Sequence, residues 1–458
     1  MKFKDFLEKK TQLSSGAGFN PSFMPDFLFP FQAALVDWSC RNGRSALFED
    51  CGLGKTVQQL TWAENVVRET NGKVLILTPL AVSAQTTKEA TRFEIETGRY
   101  RGKEMPKEKI VVTNYEQLHK LNPLDFEGCV CDESSILKNF DGSMKSQIVQ
   151  FMRKLKYRLL CTATASPNDY TELGTSSEAL GYLGHIDMLK KFFRNENNTN
   201  AAGGRSHNML GGKYRFRGHS EKDFWRWVCS WARAVRKPSD LGFSDDGYKL
   251  PELIETQHLV KSDSKPEGFL FSVPAVGLKE QREERSRTVE ERCQLASEIA
   301  ENHDGSSVIW CHLNRESETL KRITKNSEEV KGSDSDEKKE EIFQAFESGE
   351  IANLITKPSL ACFGLNWQHC HHQTFFPTHS YEQYYQAVRR CWRFGQEKKV
   401  KVDIVCTNGE LNILKNIKRK SEAASEMFNN LVDLMHNALK VDRDDYKPNS
   451  KSGIPSFL

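Results

Sequence analysis

Lys55 and Thr56 stand directly behind Gly52-Leu53-Gly54 and the apolar run Ser45-Ala46-Leu47-Phe48, which places a cation and a hydroxyl at the mouth of a glycine turn. Between a strand and a helix, such a turn points backbone N–H groups at an anion. Its lysine reaches the β- and γ-phosphates of a nucleotide, and its hydroxyl ligates Mg²⁺ at the positive helix end. Gly52, Leu53, Gly54, Lys55 and Thr56 are therefore the expected phosphate-binding residues. The full pattern opens on a glycine, and Glu49 occupies that position here. A second group lies downstream, where the apolar stretch Cys129-Val130-Cys131 ends in Asp132-Glu133. Adjacent carboxylates at a strand end suit phosphoryl transfer: Asp132 holds Mg²⁺ through its water shell and Glu133 positions the attacking water. The two groups gain meaning together, because this chemistry depends on parts positioned against one another. Upstream, Gln32 in Phe29-Pro30-Phe31-Gln32 offers an amide that can both donate to and accept from an adenine edge. A nucleotide and Mg²⁺ are the ligands these residues predict.

The elements that must position them are short apolar runs alternating with helical patterns. Val74-Leu75-Ile76-Leu77, Ile110-Val111-Val112-Thr113, Cys129-Val130-Cys131 and Arg158-Leu159-Leu160-Cys161 read as strands of a parallel sheet, buried on both faces. In an α/β sheet of this kind the chemistry sits at the strand ends. Residues 171 to 250 change character, with a basic Gly-rich loop, Trp-rich helical text at Phe224-Trp225-Arg226-Trp227 and Trp231, and Pro238 and Pro251 as punctuation. From about residue 252 the alternation resumes through Leu253-Ile254, a charged helix from Glu280 to Asn302, Ser307-Val308-Ile309-Trp310-Cys311, Ala352 to Ile355, Thr374-Phe375-Phe376 and Val400 to Val405. The charge run Glu328 to Glu341 is expected to be a solvated loop leading into a helix.

With 458 residues, the chain predicts about two to four domains. At 38% hydrophobic and 28% charged it reads as globular and soluble. No apolar run is long enough for a membrane helix and the start lacks a signal-peptide core, so no membrane partner and a cytoplasmic location are expected. The 12 cysteines are scattered, as reduced thiols would be. His369-Cys370-His371-His372 tempts a metal reading, but neighbours on a strand point to opposite faces, and ordinary strand packing is the expectation. The net charge of +3 hides two basic clusters. Lys415, Lys418, Arg419 and Lys420 read as a solvated helix face. Arg205, Lys213, Arg215 and Arg217, interleaved with Tyr214 and Phe216 among glycines, are candidates for nucleic acid contact.

The order Phe31-Gln32, Glu49-Asp50-Cys51-Gly52-Leu53-Gly54-Lys55-Thr56, Thr78-Pro79-Leu80, Thr113-Asn114-Tyr115-Glu116, Asp132-Glu133-Ser134-Ser135 with Lys138-Asn139, and Thr162-Ala163-Thr164 with Pro167-Asn168 resembles the first motor lobe of superfamily 2 helicases, in the Swi/Snf-type branch of DNA translocases. That branch commonly carries an acidic pair before Gly-Leu-Gly-Lys-Thr, which makes Glu49 a family mark. It usually ends its second motif in histidine, where Ser134-Ser135 stand here. Gln386-Ala387-Val388-Arg389-Arg390-Cys391-Trp392-Arg393-Phe394-Gly395-Gln396 resembles the last motif, Ser359 to Asn366 the fifth, and Val308 to His312 the fourth. The matching blocks run from about residue 25 to 405, and their order carries the specificity.

The resemblance implies two tandem RecA-like lobes in an α/β fold with a helical, basic-loop insertion between them. The expected segments are an N-terminal stretch (1–24), lobe 1 (25–178), the insertion (179–250), lobe 2 (251–410), and a C-terminal helix over Leu411 to Leu439 with a polar tail (411–458). Arg390 and Arg393 match the family's two arginines, which stabilise the γ-phosphoryl charge when the lobes close, and Gln386 belongs to the same nucleotide-side block. Thr78, Thr113, Ser359 and Asn366 are implied contacts to the DNA backbone. The implied activity is an ATP-dependent DNA translocase or helicase without sequence specificity, acting on duplex, forked or branched DNA. Its expected setting is replication, recombination or repair in a bacterium or a bacteriophage, hence the bacterial host cytoplasm in the latter case. The rival reading is an ATP-switched DNA-binding subunit of a restriction, repair or defence complex that separates no strands, with protein partners unspecified.

Overall fold

The computed structural model describes residues 17–138, 142–164, 170–195, 214–260, 278–361 and 366–444. They fall into two compact units, divided at Ser244/Asp245 and again at Ala423/Ala424.

The first unit is built on seven strands: β1 (Arg44–Glu49), β2 (Val74–Thr78), β3 (Thr97–Arg99), β4 (Ile110–Asn114), β5 (Gly128–Asp132), β6 (Tyr157–Thr162) and β9 (Ala232–Val235). Every pairing is parallel, in the order β3-β4-β2-β5-β6-β1-β9. β2, β5 and β6 are buried along their whole length, which is why they read as continuous apolar runs rather than alternating ones. Parallel strands are joined by crossover connections, and the one that leaves β1 runs through the helix Lys55–Thr70.

Residues 179–250, read from the sequence as an insertion, contribute to this sheet. Ala232–Val235 pairs with β1 at its edge, and the preceding helix Ser220–Trp231 buries Phe224, Trp225, Trp227, Val228 and Trp231 in the same core. Four residues entered straight from a helix show no periodicity of their own, so only the pairing with β1 reveals the strand. A two-stranded antiparallel hairpin, β7 (Phe193–Asn195) and β8 (Tyr214–Phe216), precedes that helix. Phe428 and Leu431, from the later part of the helix Leu411–Asp444, complete this core.

The second unit holds β10 (Leu253–Leu259), β11 (Ser307–Trp310), β12 (Ser327–Glu329), β13 (Asn353–Thr356), β14 (His372–Phe375) and β15 (Val400–Cys406), all parallel in the order β10-β15-β14-β11-β13-β12. The expected charged helix is two helices, Leu278–Arg287 and Val289–Glu301. The charge run at Glu328 begins inside β12, not in a solvated loop: Glu329 is buried in register with Ile355, and its carboxylate lies 3.4 Å from Lys331 Nζ. Pairing with β13 outweighs the local charge there. His372 sits in β14, its Nδ1 2.7 Å from Ser307 Oγ and its Nε2 2.9 Å from Asp403 Oδ2. Among the described residues no group of three or more His, Cys, Asp or Glu is placed to hold a metal ion. Nor is any described helix long and apolar enough to cross a membrane.

Candidate nucleotide site

At the end of β1 the chain turns through Gly52 (φ 90°) and Gly54 (φ 81°), the left-handed region that favours glycine. A side chain at Gly54 would also place its Cβ 2.3 Å from Gln32 Nε2, so the position is closed on two grounds. Helix Lys55–Thr70 starts immediately, with Lys55 and Thr56 in its first turn. Lys55 Nζ donates to the carbonyls of Glu49 (2.9 Å) and Asp50 (3.2 Å), two partners that phosphate oxygens can replace. Gln32, expected at an adenine edge, braces this loop instead. Its Nε2 donates to Leu53 O (2.8 Å) while its Oε1 accepts from Phe29 N (3.0 Å), which leaves one amide hydrogen and one oxygen lone pair uncommitted by these two bonds.

The acidic pair lies two strands away. β6 separates β5 from β1, which sets the two strand ends about 10 Å apart on one edge of the sheet. Asp132 and Glu133 are only 7% and 9% exposed. Glu133 adopts φ 49°, a left-handed conformation that costs a residue with a Cβ about 1–3 kcal/mol and is typical of functional positions. Asp132 is oriented by Gln59, whose Nε2 donates 2.7 Å to Oδ1, and its backbone carbonyl accepts from the buried Tyr115 hydroxyl. Burial opposes the Lys55 charge, yet Cys51, Glu133, Glu49 and Asp132 together hold its pKa above the ordinary lysine value. The fold thus brings the loop lysine and the acidic pair into one electrostatic unit, and the donor set fits a nucleotide triphosphate with Mg²⁺: Lys55 for the phosphates, Thr56 and Asp132 for the metal.

Glu49 lies beneath the loop, fully buried, with Oε2 accepting from Gln58 Nε2 at 2.7 Å. Burial pushes its pKa up to about 7, against the opposing pull of Lys55 and the Gln58 hydrogen bond. Below pH 4.5 the carboxyl is protonated folded or unfolded. Between 4.5 and 7 the folded chain keeps a proton that the unfolded chain releases, so stability falls as pH rises through that window, by about 3 kcal/mol when complete. Glu49→Gln is expected to remove that slope: denaturant midpoints of variant and wild type converge near pH 4.5 and separate by pH 8, the variant being the more stable. A gap that does not change with pH would show the carboxyl to be unperturbed.

Gln58 and Gln59, which hold Glu49 and Asp132, were not singled out in the sequence. The signal was available: uncharged polar residues Gln58, Gln59, Thr61 and Asn65 form a wholly buried row on the helix that follows the loop.

In the second unit, helix Tyr381–Val388 carries Gln386 and leads into Arg390 and Arg393. Arg390 is 5% exposed with Nε donating to Gln386 O (3.2 Å), and Arg393 is half-buried. The Gln386 side chain is 1% exposed, and neither amide atom has a hydrogen-bond partner among the described residues. A buried amide left so costs about 1–3 kcal/mol. Gln386→Leu is therefore expected to raise the thermal midpoint of the chain while lowering ATP turnover; a fall in both would mean that the amide is satisfied in solution.

The expected backbone contacts divide. Thr78 and Thr113 are 0% and 1% exposed, with their hydroxyls donating to Pro79 O (3.1 Å) and Tyr100 O (2.9 Å). This corrects the expectation for those two side chains, since a hydroxyl held by an internal carbonyl is out of reach of an external phosphate. Ser359 is exposed and Asn366 half-buried. Arg215 and Arg217 are exposed, while Arg205 and Lys213 lie outside the described residues.

Two parallel α/β sheets, the first bearing a phosphate loop and an acidic pair on the same edge, are tandem RecA-like lobes. Residues 290–395 match the family model of the helicase conserved C-terminal domain. The chain is similar to the chromodomain-helicase-DNA-binding protein 3 homolog of Caenorhabditis elegans, 28% identical over 199 residues that cover 32% of this chain and 11% of that protein. It is also similar to the Sulfolobus solfataricus SWI2/SNF2 ATPase core in complex with dsDNA, at 14% identity and a TM-score of 0.42, covering 91% of this chain and 96% of that one. The family model matches part of the second unit, and over the rest of the chain the likeness to superfamily 2 helicases of the Swi/Snf type is one of ordered motifs.

Proposed function

We propose that this chain is a DNA-dependent ATPase that moves along DNA without reading its sequence. The observation that carries the ATPase reading is the glycine loop with Lys55 after β1 and the Asp132-Glu133 pair at the end of β5, on the same edge of one parallel sheet. DNA as partner is supported by the family and by the relatives' own descriptions, a DNA-binding helicase and an ATPase core on duplex DNA. Mg²⁺, when bound, would supply Lewis-acid neutralisation of phosphate charge. Thr56 and Asp132 would hold it, Lys55 would neutralise the β/γ-phosphates, and Glu133 would orient the attacking water. By the resemblance, Arg390 and Arg393 are the arginines that would stabilise the charge developing on the γ-phosphoryl group. Motion requires that the nucleotide states differ in DNA affinity. The test is ATP hydrolysis measured without DNA and with single-stranded, duplex, forked and four-way DNA, beside triplex displacement and forked-duplex unwinding. Stimulation by duplex with triplex displacement but no unwinding supports translocation. ATPase indifferent to every DNA refutes the reading.

A further inference from the structure

β4 ends at Asn114, and the chain turns at once into the short 3₁₀ helix Tyr115–Lys120. Asn114 caps that helix, its Oδ1 accepting from Gln117 N at 3.2 Å, which fixes where the first residue stands. That residue is Tyr115, 3% exposed, with its ring in the core of the first unit. Strand β2 lies between β4 and β5, so the side chain reaches across β2 to donate its hydroxyl to the Asp132 carbonyl at the end of β5. The ladder between β2 and β5 stops one residue short of that carbonyl, at Leu77 and Cys131, while β6 pairs on through Cys161 and Asp132. The phenol thus holds the chain beyond the last rung on the β2 side.

The bond falls on the peptide that joins the two acids. The Asp132 carbonyl and the Glu133 N–H belong to one planar unit, so holding the oxygen fixes the plane from which Glu133 turns. Glu133 then takes φ 49°, a conformation that persists only where the surroundings impose it. Two hydrogen bonds contribute: Tyr115 holds the plane before Glu133, and Ile136 N donates to the Glu133 carbonyl (3.3 Å) after it. Gln59 acts elsewhere, on the Asp132 side chain. In this buried setting the phenol meets little competition from water for the carbonyl.

We infer that Tyr115 is a positioning residue for Glu133: its hydroxyl locks the Asp132–Glu133 peptide and so sets the direction of the Glu133 carboxylate. The inference rests on the proposed ATPase function and adds a residue that acts through the backbone rather than on the nucleotide. Without the bond the peptide is free to rotate, and Glu133 relaxes toward an ordinary backbone conformation. Its carboxylate then leaves the place from which it would orient water, and a general base works only within hydrogen-bond reach of the proton it takes. Ring packing cannot replace the hydroxyl, because a phenyl ring in the same place has no O–H to donate.

Tyr115→Phe in the full chain is the test, because it removes the hydroxyl and keeps the ring. DNA-stimulated kcat should fall roughly three- to tenfold, the scale of one hydrogen bond, while KM for ATP and the affinity for a fluorescent nucleotide stay near those of wild type. Without nucleotide, hydrogen exchange at the Ile136 amide, measured against the core amides of β2, should quicken by a similar factor, since the carbonyl it bonds no longer stays in place. Phe126→Ala is the packing control: Phe126 is 5% exposed in the same core, before β5 and at the other end of that strand from the acidic pair. It should lower the thermal midpoint and leave the relative exchange at Ile136 as in wild type. In a Glu133→Gln background, adding Tyr115→Phe should cost no further turnover, since the carboxylate it positions is already gone. Unchanged kcat in Tyr115→Phe would overturn the inference, even with quickened exchange, and so would a loss of kcat that Phe126→Ala reproduces. Wild type without ATPase on any DNA would remove the proposed function, a failure read on wild type alone; exchange at Ile136 would then still support or overturn the hold of Tyr115 on this peptide.

Discussion

Lys55→Ala is expected to reduce DNA-stimulated kcat/KM for ATP by at least about a thousandfold, the scale on which removal of one preorganised charge from a phosphoryl-transfer site is felt. The physical case is local. Lys55 is the loop's ammonium, placed at the turn by Gly54 and held by two backbone carbonyls that phosphate can displace. Its charge is coupled to Asp132 and Glu133, so the substitution also removes a cation that acts on the acidic pair. Glu133→Gln separates the contributions, since it keeps shape and neutralises the carboxylate that orients water; nucleotide binding should survive and turnover should not. Steady-state ATPase with saturating duplex, together with fluorescent-nucleotide binding, reads both. ATPase that persists in either variant would sink the assignment of this site.

Arg393→Ala should leave ATP affinity within a few-fold of wild type and lower kcat by about 10³–10⁵, the range for an arginine that acts only on the transition-state charge. Arg390 follows the same logic, but its Nε is already engaged by Gln386 O, so its substitution should also disturb the local turn. A change in KM alone would reassign Arg393 to ground-state binding, and full turnover would remove the role altogether. Substrate stimulation by DNA gives a further discriminator: a variant that still binds DNA and ATP yet fails to turn over points to lost closure chemistry rather than to misfolding.

Much of the architecture was legible because parallel strands buried on both faces must be apolar throughout. Val74–Thr78, Ile110–Asn114, Gly128–Asp132 and Tyr157–Thr162 announce themselves without any neighbour. The loop and acidic pair were legible for a related reason: glycine, lysine and threonine in fixed spacing, and two acids at a strand end, are local demands of phosphate chemistry. The edge strand Ala232–Val235 was not, because its four residues are a strand only by virtue of pairing with β1. Thr78 and Thr113 were implied as DNA-backbone contacts by the resemblance, whereas their hydroxyls donate to internal carbonyls.

Local pattern therefore marked the loop and the acidic pair as the candidate site and the strand ends on which they sit. The tertiary structure alone decided what surrounds them. It placed β6 between β5 and β1, which spaces the acidic pair from the loop. It buried Glu49 until a carboxyl became a near-neutral titrating group, set Gln59 on Asp132, and brought the Tyr115 hydroxyl to the Asp132 carbonyl across β2. Each of these depends on groups far apart in the chain, and desolvation and hydrogen bonding act through space; no spacing along the sequence encodes the distance at which they meet.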